Sequence, residues 1–209
     1  MIKMLKPLPT IGVSKYTIFK LKEDSRGTGT ATYDTEKIVS LPGTVEITPT
    51  DAGGTDTFDA DNGPYFVDSY IEKMGHDIVN ADIPAEVDAF LRGLELKDGG
   101  VEVGGILNPP DFGVAWEVLK AGGVKRFVRY YKGKYGFASN VGGKTKASEG
   151  ASEKQTAKAS FTAVNRDCDE KAYYYIDSNN LPEGVTIEDV ENNWFTDLNW
   201  YPSDKIGGE

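Results

Sequence analysis

Residues 13–23 read Val-Ser-Lys-Tyr-Thr-Ile-Phe-Lys-Leu-Lys-Glu, a run rich in β-branched and aromatic side chains. Successive side chains of a strand point to opposite faces, so Tyr16 and Ile18 share one face while Phe19 and Leu21 share the other. The run therefore predicts a strand that is apolar on both sides. We expect one side to pack on the core and the other on a neighbour.

Short apolar runs of the same kind recur along the 209 residues and are separated by many of the 24 glycines and 10 prolines. This spacing favours many short strands over long helices. The chain is long enough for one all-β domain with appendages. Besides residues 13–23, strands are predicted near Tyr33 and at 45–48, 76–83, 113–120, 124–132, 153–164 and 172–176.

Residues 82–93 carry the clearest helical pattern in the chain. Pro84 suits the first position of a helix, and acidic residues follow it in the first turn. Val87, Phe90 and Leu91 recur at helical spacing and form one apolar stripe. A short helix over about 84–93, lying on a sheet, is predicted.

Residues 48–69 lack the periodicity of a strand or a helix, and they form a long connection for a compact domain. Phe58, Tyr65 and Phe66 lie within this stretch, and exposed aromatic side chains tend to find a surface to cover. We interpret the stretch as a loop for binding or assembly in preference to a disordered linker.

The chain changes character after Leu181, which leads us to divide it into a domain over 1–180 and a C-terminal extension over 181–209. Thr186 and Asp189 form a capping-box pattern ahead of helically spaced apolar residues. Trp194 and Trp200 predict that this segment docks, either on its own domain or on a neighbouring one.

The formal net charge of −10 makes the chain a poor candidate for gripping a phosphate backbone. Cys168 is the one cysteine, so an intramolecular disulfide is excluded. Residues 1–10 lack the continuous apolar run of a signal peptide, and no stretch is apolar enough to span a membrane. These features predict a soluble protein made for a reducing compartment.

Residues of the types that do catalysis are present but are not arranged in a recognisable pattern. His76 is the only histidine, and nothing in the sequence connects it with Cys168 in a nucleophile–base pair. The sequence does not favour a zinc site, because structural sites draw four ligands mainly from Cys and His and the chain has one of each. We therefore expect no enzyme activity, no metal and no cofactor.

Two local patterns resemble ligand-binding motifs and fail on their spacing. Counted from Asp59, a calcium loop needs glycine at the sixth position and glutamate at the twelfth, where the chain has Pro64 and Tyr70. An Asx-rich turn is the better interpretation. Residues 143–145 read Gly-Lys-Thr, but the leading glycine of a phosphate-binding loop is replaced by Ala138.

Residues 124–132 mix basic and aromatic side chains and include Lys125, Arg126 and Arg129. Such a stripe can bind nucleic acid. In so acidic a protein, a contact with an acidic face of a neighbouring subunit is the preferred interpretation.

The order of these patterns resembles the major tail protein family of siphophages and Gram-positive prophages. That family shows a loop of the type Y-A-D-D-G-P-Y, then A-D-[IL]-P, then a helix of the type E-V-x-A-x-L-x-G. Residues 58–65 (FDADNGPY), 81–84 (ADIP) and 86–93 (EVDAFLRG) match them in that order. Residues 113–120 (GVAWEVLK) and 129–134 (RYYKGK) look like two later strands of the family. The resemblance spans roughly residues 10–178, whereas residues 51–56 (DAGGTD) depart from the family's Ser/Glu-rich approach to the loop.

The resemblance implies a β-sandwich flanked by one short helix, with subunits that stack as hexameric rings into the tube of a long non-contractile phage tail. Its partners would be copies of itself, the tape-measure protein, and the tail initiator (distal tail) and terminator proteins. Assembly would take place in the cytoplasm of the host bacterium, and genome DNA would later pass through the lumen without specific binding. An infectious phage, a prophage and a tail-like bacteriocin all stay open.

The resemblance also implies which residues lie between subunits. The loop residues expected there are Phe58, Asp59, Asp61, Gly63, Pro64, Tyr65 and Phe66. Further contacts are expected at Lys125, Arg126, Arg129, Trp194 and Trp200. We expect carboxylates to line the lumen, because they repel phosphate and let DNA slide.

Two alternatives compete with this interpretation. A β-sandwich module for carbohydrate binding or adhesion would use exposed Trp116, Trp194 and Trp200 to stack on sugars. A glycoside hydrolase needs only two carboxylates that converge in space, although nothing singles out a pair among the 33 acidic residues.

Overall fold

A computed structural model describes residues 6–105, 107–136, 142–145 and 155–206. The fold is mainly β, as predicted, with a large antiparallel sheet. It has two short helices, one more than the single flanking helix of the predicted sandwich, and the second lies in the C-terminal segment. Its elements in chain order are β1 Thr10–Asp24, β2 Ala31–Leu41, β3 Thr44–Pro49, β4 Ala52–Ala60, β5 Gly63–Asn80, α1 Ala85–Arg92, β6 Leu96–Lys97, β7 Gly100–Val101, β8 Phe112–Lys120, β9 Lys125–Gly136, β10 Ala157–Ala163, β11 Tyr173–Asp177 and α2 Ile187–Trp194.

The main sheet runs in the order β2-β1-β8-β9-β10-β5-β3, with every neighbouring pair antiparallel. Strand β11 pairs with the first part of β9, and β10 pairs with its last part. At the far end of the sheet β3 approaches β1, so the sheet curls over and encloses a core. The architecture is consistent with a β-sandwich.

The inner core lies between the facing layers of the curled sheet. Tyr16 and Ile18 of β1 contribute to it, as do Val114 and Trp116 of β8. Helix α1 closes one end, where Leu91 packs into the same cluster. The predicted apolar stripe of this helix therefore does lie on a sheet.

The outer face of β1, β8 and β9 carries a second core. Phe19, Ala115 and Phe127 face outward there and are covered by the C-terminal segment, which buries Val190, Trp194 and Leu198. The neighbour predicted for the second face of β1 is, in this part of the strand, a segment of the same chain. The chain covers that face itself, because its C-terminal segment supplies the missing apolar surface.

Both helices have identifiable ends. Helix α1 matches the predicted range closely, but Pro84 is its N-cap and not its first residue, and Gly93 ends it in the left-handed conformation (φ 69°). Helix α2 begins with the predicted capping box, in which the Thr186 side chain accepts from the Asp189 amide.

The predicted long loop over 48–69 is wrong. Residues 52–60 and 63–80 are strands that pair with each other, and only the two residues between them form a turn. A strand is recognised in a sequence by alternating apolar and polar residues, and this alternation arises when one face of the strand is buried. Neither face is buried here, so the alternation is missing and the strands were not predicted. Residues 142–152 are a Gly/Lys/Ser-rich stretch whose composition indicates a hairpin loop, and the structure describes only 142–145 of it.

Within the described residues, no helix has the length and apolar character that crossing a membrane requires.

Candidate assembly surface

A two-stranded ribbon projects from the sandwich and is formed by residues 52–73, which we call the arm. Its two strands pair from Ala52 and Lys73 at the base to Ala60 and Gly63 at the tip. Almost every residue of the arm is exposed, and among the strands that the structure describes β4 pairs only with β5. An isolated two-stranded ribbon is marginally stable in water, which indicates that the arm is used against another surface.

The tip of the arm is a two-residue turn made by Asp61 and Asn62. Their φ angles are 50° and 66°, and positive φ at both central residues is the mark of a type I′ turn. Asn and Asp tolerate this left-handed conformation better than other non-glycine residues. The interpretation of residues 59–63 as an Asx-rich turn is confirmed.

Both faces of the arm carry exposed aromatic side chains. Phe58 and Phe66 are directly opposite each other on one face, and Tyr65 lies on the other face with 75% of its surface exposed. Four of the seven predicted loop residues, the acidic Asp59 and Asp61 and the backbone-shaping Gly63 and Pro64, lie between these aromatics at the tip. The structure thus brings all seven together within one turn and its flanks.

Sequence reasoning missed the apolar residues nearer the base of the arm. Val67, Tyr70 and Ile71 are all more than half exposed. Tyr70 lies over Gly54, where an added Cβ would meet the Tyr70 hydroxyl at 3.0 Å. The signal was present in residues 66–72 (FVDSYIE), which are apolar on both faces of a strand. The first four of them fall inside the stretch predicted as a loop, and the last three lie between that stretch and the strand predicted at 76–83.

The arm is also acidic, since residues 52–73 contain five acids and one base. The acids are Asp56, Asp59, Asp61, Asp68 and Glu72, against Lys73 alone. A surface that combines exposed aromatics with a net charge of −4 is suited to an apolar partner with a basic rim.

A buried polar cluster anchors the arm in the sandwich. His76 is fully buried, and the Tyr16 hydroxyl lies 2.7 Å from its Nε2 and 2.8 Å from the Tyr135 hydroxyl. Burial lowers the pKa of His76 to about 3, so the ring is neutral near pH 7. Burial also raises the pKa values of Tyr16 and Tyr135. The prediction of a structural histidine agrees with this setting.

Two features at the base hold the arm's direction. The Asp51 carboxylate accepts from the Gly75 amide at 2.9 Å. A Cβ on Gly75 would come within 2.1 Å of the Phe161 carbonyl oxygen, so only glycine lets β5 and β10 approach this closely. The sheet therefore positions the arm, although the arm itself lies outside the core.

The basic stripe on β9 is used within the chain. Arg126 forms a two-pronged ion pair with Asp177, both bonds measuring 2.8 Å, and this pair lowers the pKa of Asp177. Lys125 donates a hydrogen bond to Glu191, and this bond raises the pKa of Lys125. The Lys125 Nζ also lies 3.5 Å from Glu117 Oε2. Lys125 and Arg126 were predicted to contact an acidic face of a neighbouring subunit, but both are paired with acidic residues of their own chain.

Arg129 is fully buried, so its prediction as a contact between subunits is wrong. Its guanidinium faces four aromatic rings at 4.4–5.2 Å and donates to the Trp200 carbonyl at 2.6 Å. Alternation along β9 turns this residue toward the outer core, where the C-terminal segment closes over it. The rings belong to Tyr131, Tyr174, Trp194 and Tyr201.

The tryptophans do not form an exposed surface. Trp194 is fully buried and donates to the Val128 carbonyl at 3.3 Å, so the C-terminal segment docks on its own domain. This location contradicts the prediction that Trp194 meets another subunit. Trp116 is buried in the inner core, and Trp200 packs half-buried beside the outer core. Trp116 and Trp194 cannot stack on sugars, so the carbohydrate-binding alternative loses two of its three tryptophans.

A groove at the open side of the sandwich was missed by sequence reasoning. We call it the tyrosine groove, after the exposed Tyr173 and Tyr175 on β11. Its cavity is about 390 Å³. Its walls are formed by Thr10, Val13, Ile47, Pro49, Asp51, Trp116, Val118, Lys120, Arg126, Val128, Tyr130, Tyr173 and Tyr175.

The described residues show no group of three or more His, Cys, Asp or Glu side chains that could hold a metal. His76 is buried among aromatic rings, whereas Cys168 lies with the outer core, so the structure does not bring these two together. Burial raises the pKa of the Cys168 thiol to about 11, which disfavours the nucleophilic thiolate.

No protein-family model matches the chain, and no curated protein matches it either.

Proposed function

We propose that this protein is a structural subunit of a long non-contractile phage tail, which polymerises as stacked hexameric rings into the tail tube. The observation that carries the proposal is the arm, an exposed, aromatic and acidic ribbon that the described part of its own domain does not cover. Exposed apolar surface of this kind usually marks a protein–protein contact. A structural subunit needs such a contact more than it needs a pocket with catalytic groups.

The position of the arm in the sequence supports the same proposal. Residues 58–65, on which the resemblance to major tail proteins rests, form the tip of the arm. Residues 81–84 and 86–93, which carry the next two motifs, lead directly into α1 and form it. The motifs therefore correspond to distinct structural features in the order that the family pattern requires.

The proposed partners follow from this role. Copies of the chain form the tube around a tape-measure protein, and initiator and terminator proteins bound its two ends. The net charge of −10 suits a conduit, because carboxylates facing the lumen repel DNA and prevent specific binding. The proposed location is the virion, after assembly in the host cytoplasm.

Electron microscopy of the concentrated, purified protein tests the proposal. We expect rings or tubes, alone or with the tail initiator. Tyr65→Ser combined with Phe66→Ser should abolish them, because the change removes exposed aromatic anchors while leaving both cores intact. Circular dichroism should show an unchanged fold.

The matched control is Val164→Ser combined with Ile187→Ser, two exposed apolar residues outside the arm. This variant should assemble like the unmodified protein. A protein that stays monomeric at all concentrations and is never recruited to tails would contradict the proposal.

A further inference from the structure

We propose that the tip of the arm docks in the tyrosine groove of a second copy of this chain. This inference rests on the proposed function and identifies the surface that receives the arm. The two surfaces match in apolar character and in charge, and each is exposed in the single chain.

The groove offers an aromatic surface that is about half exposed, although Arg126 lies over the Tyr175 ring and Tyr130 contacts the Tyr173 ring. The rings of Tyr173 and Tyr175 are nearly parallel at 13°, with their centroids 6.4 Å apart, and they are 41% and 52% exposed. Behind them the rings of Trp116 and Tyr130 stack at 5.6 Å and form a buried floor. Aromatic side chains entering from outside would meet ring faces and edges on two sides.

A basic corner adjoins the groove and shares Lys120 and Arg126 with it. Lys6 also lines this corner, and Asp177 is its one acidic residue. Lys120 and Arg126 are both ion-paired with Asp177, and Asp51 lines the groove itself. Among the described residues, the groove and its corner together carry three bases against two acids, so the net charge is still positive. The acidic residues of the arm tip, Asp59 and Asp61, lie between Phe58 and Tyr65, so aromatics and carboxylates enter together.

The occupant must come from another copy. Asp51 lies at the base of the arm and also lines the groove, so the arm begins at the groove's edge. Nine paired residues then carry the tip on the order of 30 Å away from this base. Tyr65 and Tyr175 are both exposed in the same chain, so the arm does not fill its own groove.

The contact is heterologous, because the arm and the groove are different surfaces. A heterologous contact repeats from copy to copy and produces a closed ring or an open filament, whereas a two-fold contact would stop at a dimer. Each chain carries both surfaces, so copies can be added one after another through the same contact.

Disulfide trapping tests the location of the arm. In a Cys168→Ser background, Phe66→Cys combined with Tyr175→Cys should link successive copies into a ladder on denaturing gels after mild oxidation. The matched control pairs Phe66→Cys with Glu36→Cys, an exposed position on β2, and should give no ladder.

A second variant tests whether the groove is needed. Tyr173→Ser with Tyr175→Ser should raise the concentration required for assembly about tenfold, since buried aromatic anchors dominate interface energy. Val164→Ser with Ile187→Ser should leave it unchanged. If the double variant loses its folded circular dichroism spectrum, the single variant Tyr175→Ser is used in its place. The single variant keeps the contact between Tyr173 and Tyr130.

The outcomes separate the two proposals. Two results would each overturn the groove as the receiving surface and leave the tail-tube proposal standing. One is normal assembly of the variant that lacks Tyr173 and Tyr175. The other is the absence of a disulfide ladder between Phe66→Cys and Tyr175→Cys when the protein assembles. Absence of rings and tubes from the unmodified protein would overturn both.

Discussion

At the scale of single residues, His76 illustrates how a buried polar group that is neutral near pH 7 can destabilise a core in acid. Its ring is surrounded by Tyr16, Trp116, Tyr130 and Phe161, with centroid distances of 4.7–5.6 Å. Burial disfavours the charged imidazolium, while nearby Asp77 acts weakly in the opposite direction. The folded chain therefore binds this proton more weakly than the unfolded chain does.

This difference predicts how stability depends on pH. Between the ordinary pKa of 6.5 and the folded value of about 3, the unfolded chain holds more protons, so the free energy of unfolding falls as pH falls. From pH 7 to pH 5 the loss due to His76 should be about 2 kcal/mol. Urea unfolding at both pH values should show this loss in the unmodified protein and not in His76→Gln. An equal pH dependence in both proteins would contradict the assignment.

Arg129 shows at the same scale why residue type alone misleads. A basic residue on an aromatic strand indicates an exposed contact, yet alternation along β9 directs Arg129 toward the outer core, together with Phe127 and Tyr131. There four aromatic rings and the Trp200 carbonyl surround the guanidinium. Cation–π contacts of this kind stabilise a buried guanidinium when water is excluded.

At the scale of elements, the arm and the rest of β5 belong to one strand but have different energetic roles. Residues 76–80 pair on both sides and are largely buried, whereas residues 63–73 pair, within the described part of the chain, only with β4. The inner part contributes to the core, and the outer part contributes exposed surface. A substitution in the outer part should therefore impair assembly and leave the stability of the fold nearly unchanged. A substitution in the inner part should lower the stability of the fold.

Asn62→Pro and Gly75→Ala test this division. Proline cannot adopt the φ of 66° at Asn62, so the turn should break and assembly should stop, while the free energy of unfolding changes by less than about 0.5 kcal/mol. Gly75→Ala forces a Cβ against the Phe161 carbonyl and should cost more than about 2 kcal/mol. Denaturant unfolding measures both, and equal costs would contradict the division.

At the scale of the whole molecule, the sheet has two cores and the C-terminal segment completes the second. The segment closes over the outer face of β1, β8 and β9, and Trp194 and Leu198 are fully buried in it. Ion pairs of Lys125 with Glu191 and of Arg166 with Asp169 lie along this layer. The segment is part of the folded domain and not an appendage to it.

A chain that ends at Asn180 should therefore lose cooperative unfolding, because Phe19, Ala115 and Phe127 would face water. We expect dye binding to exposed apolar surface and a loss of the near-ultraviolet circular dichroism signal. In the full chain, Trp194→Ala should cost about 3–5 kcal/mol. A truncated chain that melts cooperatively at the same temperature as the full chain would contradict this.

Much of the fold could be read from the sequence, since periodicity reports which side chains become buried. The two-sided run of β1, the alternation of β10, the stripe of α1 and the capping box of α2 are each local patterns. Their physical basis is that a strand repeats every two residues and a helix every 3.6. These patterns determined an all-β domain with short helices and a docked C-terminal segment.

The candidate site divides along the same line. The aromatic and acidic residues of 58–66 were recognisable as an unusual exposed group, and the Asx-rich turn was recognisable from Asp61 and Asn62. That these residues form a ribbon depended on the pairing of β4 with β5, in which neither face is buried and no periodic signal arises. Only the tertiary structure showed that β9 turns Arg129 inward, that the chain's own C-terminal segment covers the outer face, and that Tyr173 and Tyr175 border a groove. Each depends on which distant strands become neighbours, and a local pattern does not encode that choice.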